Sequence, residues 1–220
     1  MARRRGQVDE KKSEAILDAA ATLFADKGLA VSMDEIARVA GVSKQTVYNR
    51  FASKLEIARA MAGQRSDAIV APLKTAGAPV EVLEALALLL LERICHPDKV
   101  GSMRGVVLMS TEAPEIAQAV YEAGPLRSLK LLSAWLADQT RAGRLNVPDP
   151  DGAAEMFSGL VLGHGHLRAM LNVPQIDADH RLRRAREAAR VFVAAYAPTA
   201  YAPGQDRASR DPPRRGVRPC

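Results

Sequence analysis

The chain has 220 residues, of which 48% are hydrophobic and 25% are charged, so it can bury a core without disulfides. Its formal net charge of +6 is compatible with an anionic partner such as nucleic acid. Two cysteines, Cys95 and Cys220, do not form a disulfide framework and fit a reducing compartment. The N-terminus lacks an apolar signal segment, and the apolar run at 85–91 is far shorter than the ~18 residues of a membrane helix. We therefore expect a cytoplasmic protein with no membrane contact.

The first two predicted helices are bounded by glycines and a cap. Apolar residues recur at helical spacing over Glu10–Lys27, and Gly28 follows as the residue best suited to a left-handed helix end. Ser32 with Glu35 three positions later is typical of a capping box and predicts the start of a second helix. Gly41 ends that helix.

The next two helices begin at serines. Ser43 opens a short third helix that we expect to end near Phe51. Ser53 and Glu56 form a second capping box, which predicts a fourth helix through about Ile69. Prolines and small residues at 72–79 end this unit.

The remainder of the chain is also predicted to be helical, with no alternating β pattern of useful length. The expected helices span 80–94 (buried and central), 101–109, 114–122, 125–142, 153–171 and 177–197, with a loop at 146–152. The stretch from Pro198 onward is rich in proline, glycine and arginine and is expected to be disordered. We therefore predict an all-α fold with a helix-turn-helix domain at 1–58, a larger helical domain at 59–197 and a basic tail at 198–220.

The first three helices have the arrangement of a helix-turn-helix, with a turn around Gly41 that requires a positive φ. Apolar positions such as Ile36 and Val47 would pack the second helix against the third and leave the other face of the third helix free. Lysine, glutamine and asparagine on that face can read base edges, while hydroxyls and Lys54 can hold phosphates. The candidate DNA contacts are Ser32, Ser43, Lys44, Gln45, Thr46, Tyr48, Asn49, Arg50 and Lys54. Arg3–Arg5 are expected to follow the DNA backbone or an adjacent minor groove.

Three sequence segments, taken in their order along the chain, carry a family signature: residues 15–28, 32–43 and 46–55. They read AILDAA followed by LFADKG, then SMDEIARVAGVS, then TVYNRF followed by SKL. Together they resemble the DNA-binding domain of TetR (tetracycline-repressor) family regulators. The family often has an aromatic residue followed by His or Tyr where this chain has Asn49 and Arg50. The operator preference is therefore not transferable from a relative.

The resemblance implies that the second domain dimerises and encloses a small-molecule effector. The last two helices would form the dimer interface, and the candidate contacts are Phe157, Leu160, Gly163, Val191 and Phe192. The candidate effector contacts are Met103, Met109, Trp135, Phe157 and His164, which favour an apolar or amphipathic molecule. The alternative for each of these residues is a place in the monomer's own core.

The resulting hypothesis is a homodimeric repressor that binds double-stranded DNA at a near-palindromic operator and is released when the effector moves the fourth helix. An activator or a ligand-independent regulator with the same DNA-binding domain is the alternative. A non-specific architectural DNA protein is disfavoured because the basic residues form no single stripe. An enzyme is disfavoured because the chain has no phosphate loop, nucleophile elbow or dinucleotide fingerprint. We expect no catalytic residues, cofactor or metal, since His164 and His166 would point ~200° apart on one helix.

Overall fold

The computed structural model describes residues 2–95, 104–107 and 110–198, and over these ranges it is helical with no strand. The N-terminal helices are α1 (Ala2–Lys27), α2 (Met33–Val39), α3 (Lys44–Tyr48) and α4 (Lys54–Ile69). The following helices are α5 (Pro79–Cys95), α6 (Pro114–Tyr121), α7 (Arg127–Arg141), α8 (Pro150–Leu162), α9 (Gly165–Met170) and α10 (Ala178–Ala195). Shorter 3-10 turns lie at Gly28–Ala30 and Ala71–Lys74, and residues 104–107 and 110–112 are also helical. The all-α prediction is confirmed.

The expected starts of α1 and α7 were wrong. Helix α1 begins at Ala2 and not at Glu10, so Arg3–Arg5 lie in helical backbone. Pro125 does not start a helix but lies inside a π-helical turn, Glu122–Leu126, that joins α6 to α7 without a break. Proline lacks the N–H that would donate to the preceding turn, and a widened turn is one way in which a helix accommodates such a residue.

The expected helix over 153–171 is two helices. Helix α8 begins earlier, at Pro150, because proline suits the first turn and the Asp149 carboxylate accepts the Gly152 N–H at 3.1 Å. It ends at Gly163, whose φ of +46° does not continue a right-handed helix. Helix α9 then starts after His164, so His164 and His166 are not on one continuous helix as the sequence prediction assumed.

The N-terminal helices enclose a core of their own. Fully buried Ile16, Ile36, Val47 and Ile57 bring one side chain each from α1, α2, α3 and α4 into a single cluster. Partly buried Ala40, Val42 and Phe51 pack against this cluster, around the turn between α2 and α3. The turn between α2 and α3 therefore packs on an apolar core, as its apolar pattern predicts.

A second core joins α5, α7, α8 and α10. Helix α10 packs along α5, and its small residues Ala185, Ala188 and Ala189 are buried there. Phe157 of α8 and Phe192 of α10 meet edge to face in this core, with ring centroids 5.0 Å apart. No described helix is both long and apolar enough to cross a membrane.

Helix α4 belongs to both units. Its first half contributes Ile57 and Met61 to the N-terminal core. Ala58, from the same half, packs with Ala113 and Ile116 beside α6. Its second half faces α7, where the Ser66 and Ser128 hydroxyls are 2.8 Å apart. One rigid element therefore runs from the helix-turn-helix into the larger helical unit.

Candidate functional site

The third helix exposes one face to solvent. Val47 is its buried residue, whereas Gln45, Tyr48 and the following Asn49 are exposed, with Tyr48 at 52%. The helix is fixed at its start by Ser43, whose hydroxyl accepts the Thr46 N–H at 3.1 Å and lies 2.8 Å from the Thr46 hydroxyl. A five-residue helix held this way presents its polar side chains to the outside in a defined register.

The turn before this helix depends on one backbone conformation. Gly41 has a φ of +66°, which a residue with a Cβ adopts at a cost, although open space surrounds the position where that Cβ would be. The constraint at Gly41 is therefore conformational and not steric crowding.

The cations predicted to contact DNA have acidic or structural partners. Lys44 on α3 pairs with Asp34 on α2, and both side chains are at least half exposed. Arg50 is only 19% exposed, pairs with Asp9 and donates to the Ser13 hydroxyl at 2.6 Å. Arg50 thus ties α1 to the end of α3, a role that the sequence prediction missed.

Two further predicted contacts lie at helix starts. The Ser32 hydroxyl accepts the Glu35 N–H at 3.1 Å, so it caps α2. The second arm of the predicted capping box is missing, because the Glu35 carboxylate binds Lys27 at 2.5 Å, and this hydrogen bond lowers the pKa of Glu35. Lys54 is half-buried at the start of α4. The structure thus gathers Ser43, Lys44, Gln45, Thr46, Tyr48 and Asn49 around α3, with Ser32, Arg50 and Lys54 at flanking positions.

A cavity of about 410 Å³ lies in the larger unit beside α4. Its walls come from α4, α5, α6, α7, the π-helical turn, Val106 and the ends of α8 and α9. Most of the lining is apolar. Its side chains with polar atoms are Arg65, Ser66, Arg93, Tyr121, Ser128, Ser158 and His166.

The cavity differs from the predicted effector site. Trp135 and Phe157 are buried in the second core and do not line it, because the other α7 and α8 faces turn toward it. His164 lines a separate recess of about 310 Å³ that also contains Cys95 and Arg184. Met103 and Met109 lie outside the described residues.

Sequence reasoning missed the two arginines of the cavity. Glu92 and Arg93 together interrupt the apolar sequence near the end of α5, and this charged pair was the available signal. Burial lowers the pKa of the Arg65 guanidinium, and burial together with the positive charge of Arg65 lowers the pKa of Arg93 to about 10. Both side chains therefore remain cationic at neutral pH.

The predicted dimer contacts divide into two groups. Phe157 and Phe192 are buried in the monomer's own core, which was the stated alternative for them. Leu160 and Val191 are exposed at 42% and 41%. Gly163 is exposed too, but at the end of α8 and not within a helix face. Other exposed apolar side chains nearby in the chain are Met156, Leu167, Leu171, Val173 and Leu182.

Chemistry other than binding finds no support in the described residues. They contain no group of three or more His, Cys, Asp or Glu side chains placed to hold a metal ion. Cys95 is half-buried, its thiol lies 3.8 Å from the Gln175 amide oxygen, and burial raises its pKa, which disfavours the reactive thiolate.

Comparison with relatives of known structure agrees with this architecture. A crystal structure of a TetR-family regulator from Mesorhizobium loti superposes with a TM-score of 0.72 at 28% identity, covering 86% of this chain and 98% of the other. The flavonoid-responsive regulator FrrA superposes with a TM-score of 0.66 at 28% identity, covering 87% of this chain and all of the other.

Sequence relatives are regulators as well. The chain is 40% identical over 80 residues to the HTH-type transcriptional regulator BetI of Rhizobium meliloti, covering 34% of this chain and 39% of BetI. It is 42% identical over 69 residues to the HTH-type transcriptional activator FasR of Mycolicibacterium smegmatis, covering 31% of each. The chain thus spans well under half the length of these two curated relatives.

Two family models match the chain. Residues 16–61 match the tetR family of bacterial regulatory proteins. Residues 81–198, more than half of the chain, match the C-terminal domain of AefR-like transcriptional repressors. The chain therefore belongs to the TetR family of bacterial transcription regulators, which are DNA-binding proteins and not enzymes.

Proposed function

We propose that this regulator represses transcription as a homodimer bound to a near-palindromic operator and is released by a small molecule. The observation that carries the proposal is the dual position of α4. Met61 of α4 belongs to the core of the helix-turn-helix, while the adjacent Ala62, followed by Arg65 and Ser66, lines the cavity. A molecule in the cavity would touch the same helix on which the helix-turn-helix packs.

DNA reading is assigned to the exposed face of α3. Gln45 and Asn49 carry amides that can pair with adenine, and Lys44 can donate to guanine. Tyr48 and Ser43 have hydroxyls suited to phosphate oxygens, and Lys54 supplies a charge that is independent of sequence. Two copies related by a two-fold axis would place their α3 helices in successive major grooves.

The dimer interface is assigned to the exposed apolar face of α8 with α10. Met156 and Leu160 lie one helical turn apart on α8 and are 58% and 42% exposed. Their exposure and that of Val191 are what an unpaired interface would show. TetR-family regulators typically dimerise, which supports the same assignment. We also propose the domain boundaries 1–58 and 59–197, with α4 crossing from one to the other.

Release follows from differential affinity. The effector must bind better to the arrangement of α4 in which the two α3 helices no longer match their half-sites, since otherwise it shifts no population. FrrA, a structural relative, is named as flavonoid-responsive, which supports small-molecule control of this chain.

Activation is the second candidate. The match of 81–198 to AefR-like repressors favours repression, whereas the relative FasR is named an activator. The two candidates share the DNA-binding surface and differ in where the operator lies relative to the promoter.

The test is fluorescence anisotropy of the full chain on DNA from upstream of its own gene, with scrambled DNA as competitor at two salt concentrations. Selective binding of one dimer per site supports the proposal. The proposal is contradicted if both DNAs bind equally with a strong salt dependence and a genome-wide binding selection also recovers no preferred sequence. That is how architectural DNA binding behaves. Transcription from the bound promoter in vitro, with and without the protein, then separates repression from activation.

A further inference from the structure

The cavity beside α4 combines an apolar wall with cationic groups. Leu86, Leu90 and Ile94 of α5 line it from one side, and Leu129 and Leu132 of α7 contribute further apolar surface. Arg93 lies among the α5 leucines, and Arg65 projects from α4 into the same space. A ligand in this cavity would therefore meet hydrocarbon over most of its surface and a guanidinium at one place.

The charge of Arg93 is not balanced by a carboxylate in the described walls of the cavity. Among its described lining residues there is no aspartate or glutamate. Within the described ranges, Arg93 also has no carboxylate at ion-pairing distance. Exposed arginines elsewhere differ: Arg127 pairs with Asp67 at 2.7 Å and Arg186 with Glu84 at 3.3 Å.

An unbalanced cation in a partly desolvated site is costly to the free protein. Burial disfavours its charged form, and the nearby charge of Arg65 opposes it again. The interaction that would offset this cost is a hydrogen-bonded anion, and the planar guanidinium fork matches a carboxylate or another oxyacid group. A neutral apolar ligand would leave the charge uncompensated, and a cationic ligand would add to it.

We propose that the cavity binds an amphipathic organic anion, whose acidic group is held by Arg93 beside Arg65 and whose apolar body lies against α5 and α7. The inference rests on the proposed function in that it names the chemical class of the effector. The apolar lining admits a hydrocarbon or aromatic body, and a volume of about 410 Å³ falls within the usual range of small-molecule sites. His166 adds a further polar side chain to the lining, and desolvation where its ring borders the cavity lowers its pKa.

The binding test uses isothermal titration calorimetry on the DNA-free full chain with decanoate and 1-decanol, which share a chain length and differ in charge. We expect decanoate to bind more tightly than 1-decanol. Arg93→Met should weaken the binding of decanoate roughly ten- to hundredfold, which is the effect of losing a hydrogen bond to a charged group. The same variant should change the affinity for 1-decanol by less than about threefold.

The matched control is Arg186→Met, which removes the same charge from an exposed position on α10 that does not line the cavity. It should leave decanoate affinity unchanged. Arg93→Lys keeps the charge without the planar fork and should fall between wild type and Arg93→Met. Circular dichroism and the retained affinity for 1-decanol verify that each variant is folded. If Arg93→Met does not fold, Arg93→Gln takes its place.

Failure of this inference is distinguishable from failure of the proposed function. Equal binding of decanoate and 1-decanol, or equal losses in Arg93→Met and Arg186→Met, would overturn the anionic class and leave operator binding untouched. Selective decanoate binding by a protein that shows no selective DNA binding would support the anion site and contradict the regulator. Release of wild type from its operator by decanoate, but not of Arg93→Met at the same concentration, is the result expected if both hold.

Discussion

The surface around α3 and the cavity beside α4 differ in how their cationic side chains are paired. On the helix-turn-helix, Lys44 and Lys27 are exposed and paired with Asp34 and Glu35. In the larger unit, Arg93 is half-buried beside a like charge and has no acidic partner among the described residues.

This difference matches the two proposed partners, DNA at α3 and an organic anion in the cavity. An exposed ion pair contributes little stability, so a DNA phosphate or base can replace the carboxylate at small cost. A half-buried cation without a counter-ion is held at a cost to the fold that a bound anion relieves. Lys44 can thus exchange its carboxylate partner for a DNA group, whereas Arg93 can gain an anionic partner that it lacks in the free protein.

The largest expected effect concerns Phe157, which the sequence predicts to contact an effector and which lies in the second core. Phe157→Ala should lower the free energy of unfolding by about 3–5 kcal/mol, because a fully buried ring that contacts Phe192 is lost. Urea denaturation monitored by circular dichroism measures it. The control is Leu90→Ala, which truncates a partly buried side chain already facing the cavity and should cost distinctly less. Equal losses of unfolding free energy in the two variants would contradict the place of Phe157 in the second core.

Arg93→Met should instead stabilise the ligand-free protein, by on the order of 1–3 kcal/mol, because it removes a charge whose burial is uncompensated. The folded-state pKa of Arg93 lies below its unfolded value, so the cost is complete below about pH 10 and is relieved as pH rises through it. The gain measured by urea denaturation should therefore be constant near neutral pH and shrink above pH 10. A destabilised Arg93→Met at neutral pH would contradict the unbalanced charge.

Gly41→Ala should cost about 1–2 kcal/mol of stability, since the φ of +66° is strained for a residue with a Cβ. Gly41→Asn is the matched control and should cost less, because asparagine tolerates the left-handed region. Thermal unfolding of the two variants compares them. Similar losses would point to a steric cause, which the open space around Gly41 argues against.

The smallest effect belongs to the exposed pair. Asp34→Asn should change stability by less than about 1 kcal/mol while raising operator affinity a few-fold, because it frees Lys44 and removes a negative charge from the DNA-facing side. The gain in anisotropy titrations should fade as salt rises. Glu187→Gln, which breaks the 2.6 Å pair with Arg190 on α10, should leave DNA affinity unchanged. An equal gain in both variants would mean that only net charge matters.

The sequence predicted what is set locally. Ser32, Ser43 and Ser53 cap the helices they were expected to cap, because capping involves a side chain and a backbone N–H three residues away. Gly28 and Gly41 have the positive φ that their positions called for. The helix-turn-helix was therefore accessible from the order of residues alone.

The cavity was not accessible in this way. The periodicity over 80–94 predicts a buried helix, but which of its faces meets a void depends on how α4 and α7 pack against it. That packing also decides that Arg93 faces the void and that Trp135 does not. Gly159 and Gly163 were equally compatible with one long helix, and only the backbone around Gly163 shows that α8 stops there.

The end of α8 also constrains which substitutions this region can accept during evolution. The Arg184 guanidinium on α10 donates to the carbonyls of Val161 at 2.6 Å and Leu160 at 3.2 Å, which α8 leaves unpaired at its C-terminus. A Cβ on Gly163 would lie 2.1 Å from that guanidinium. A side chain at 163 would therefore displace the arginine, and the φ of +46° would strain that side chain even after the displacement. Position 163 should therefore remain a glycine even where Arg184 has been replaced, whereas Arg184 can cap α8 in this way only beside a glycine.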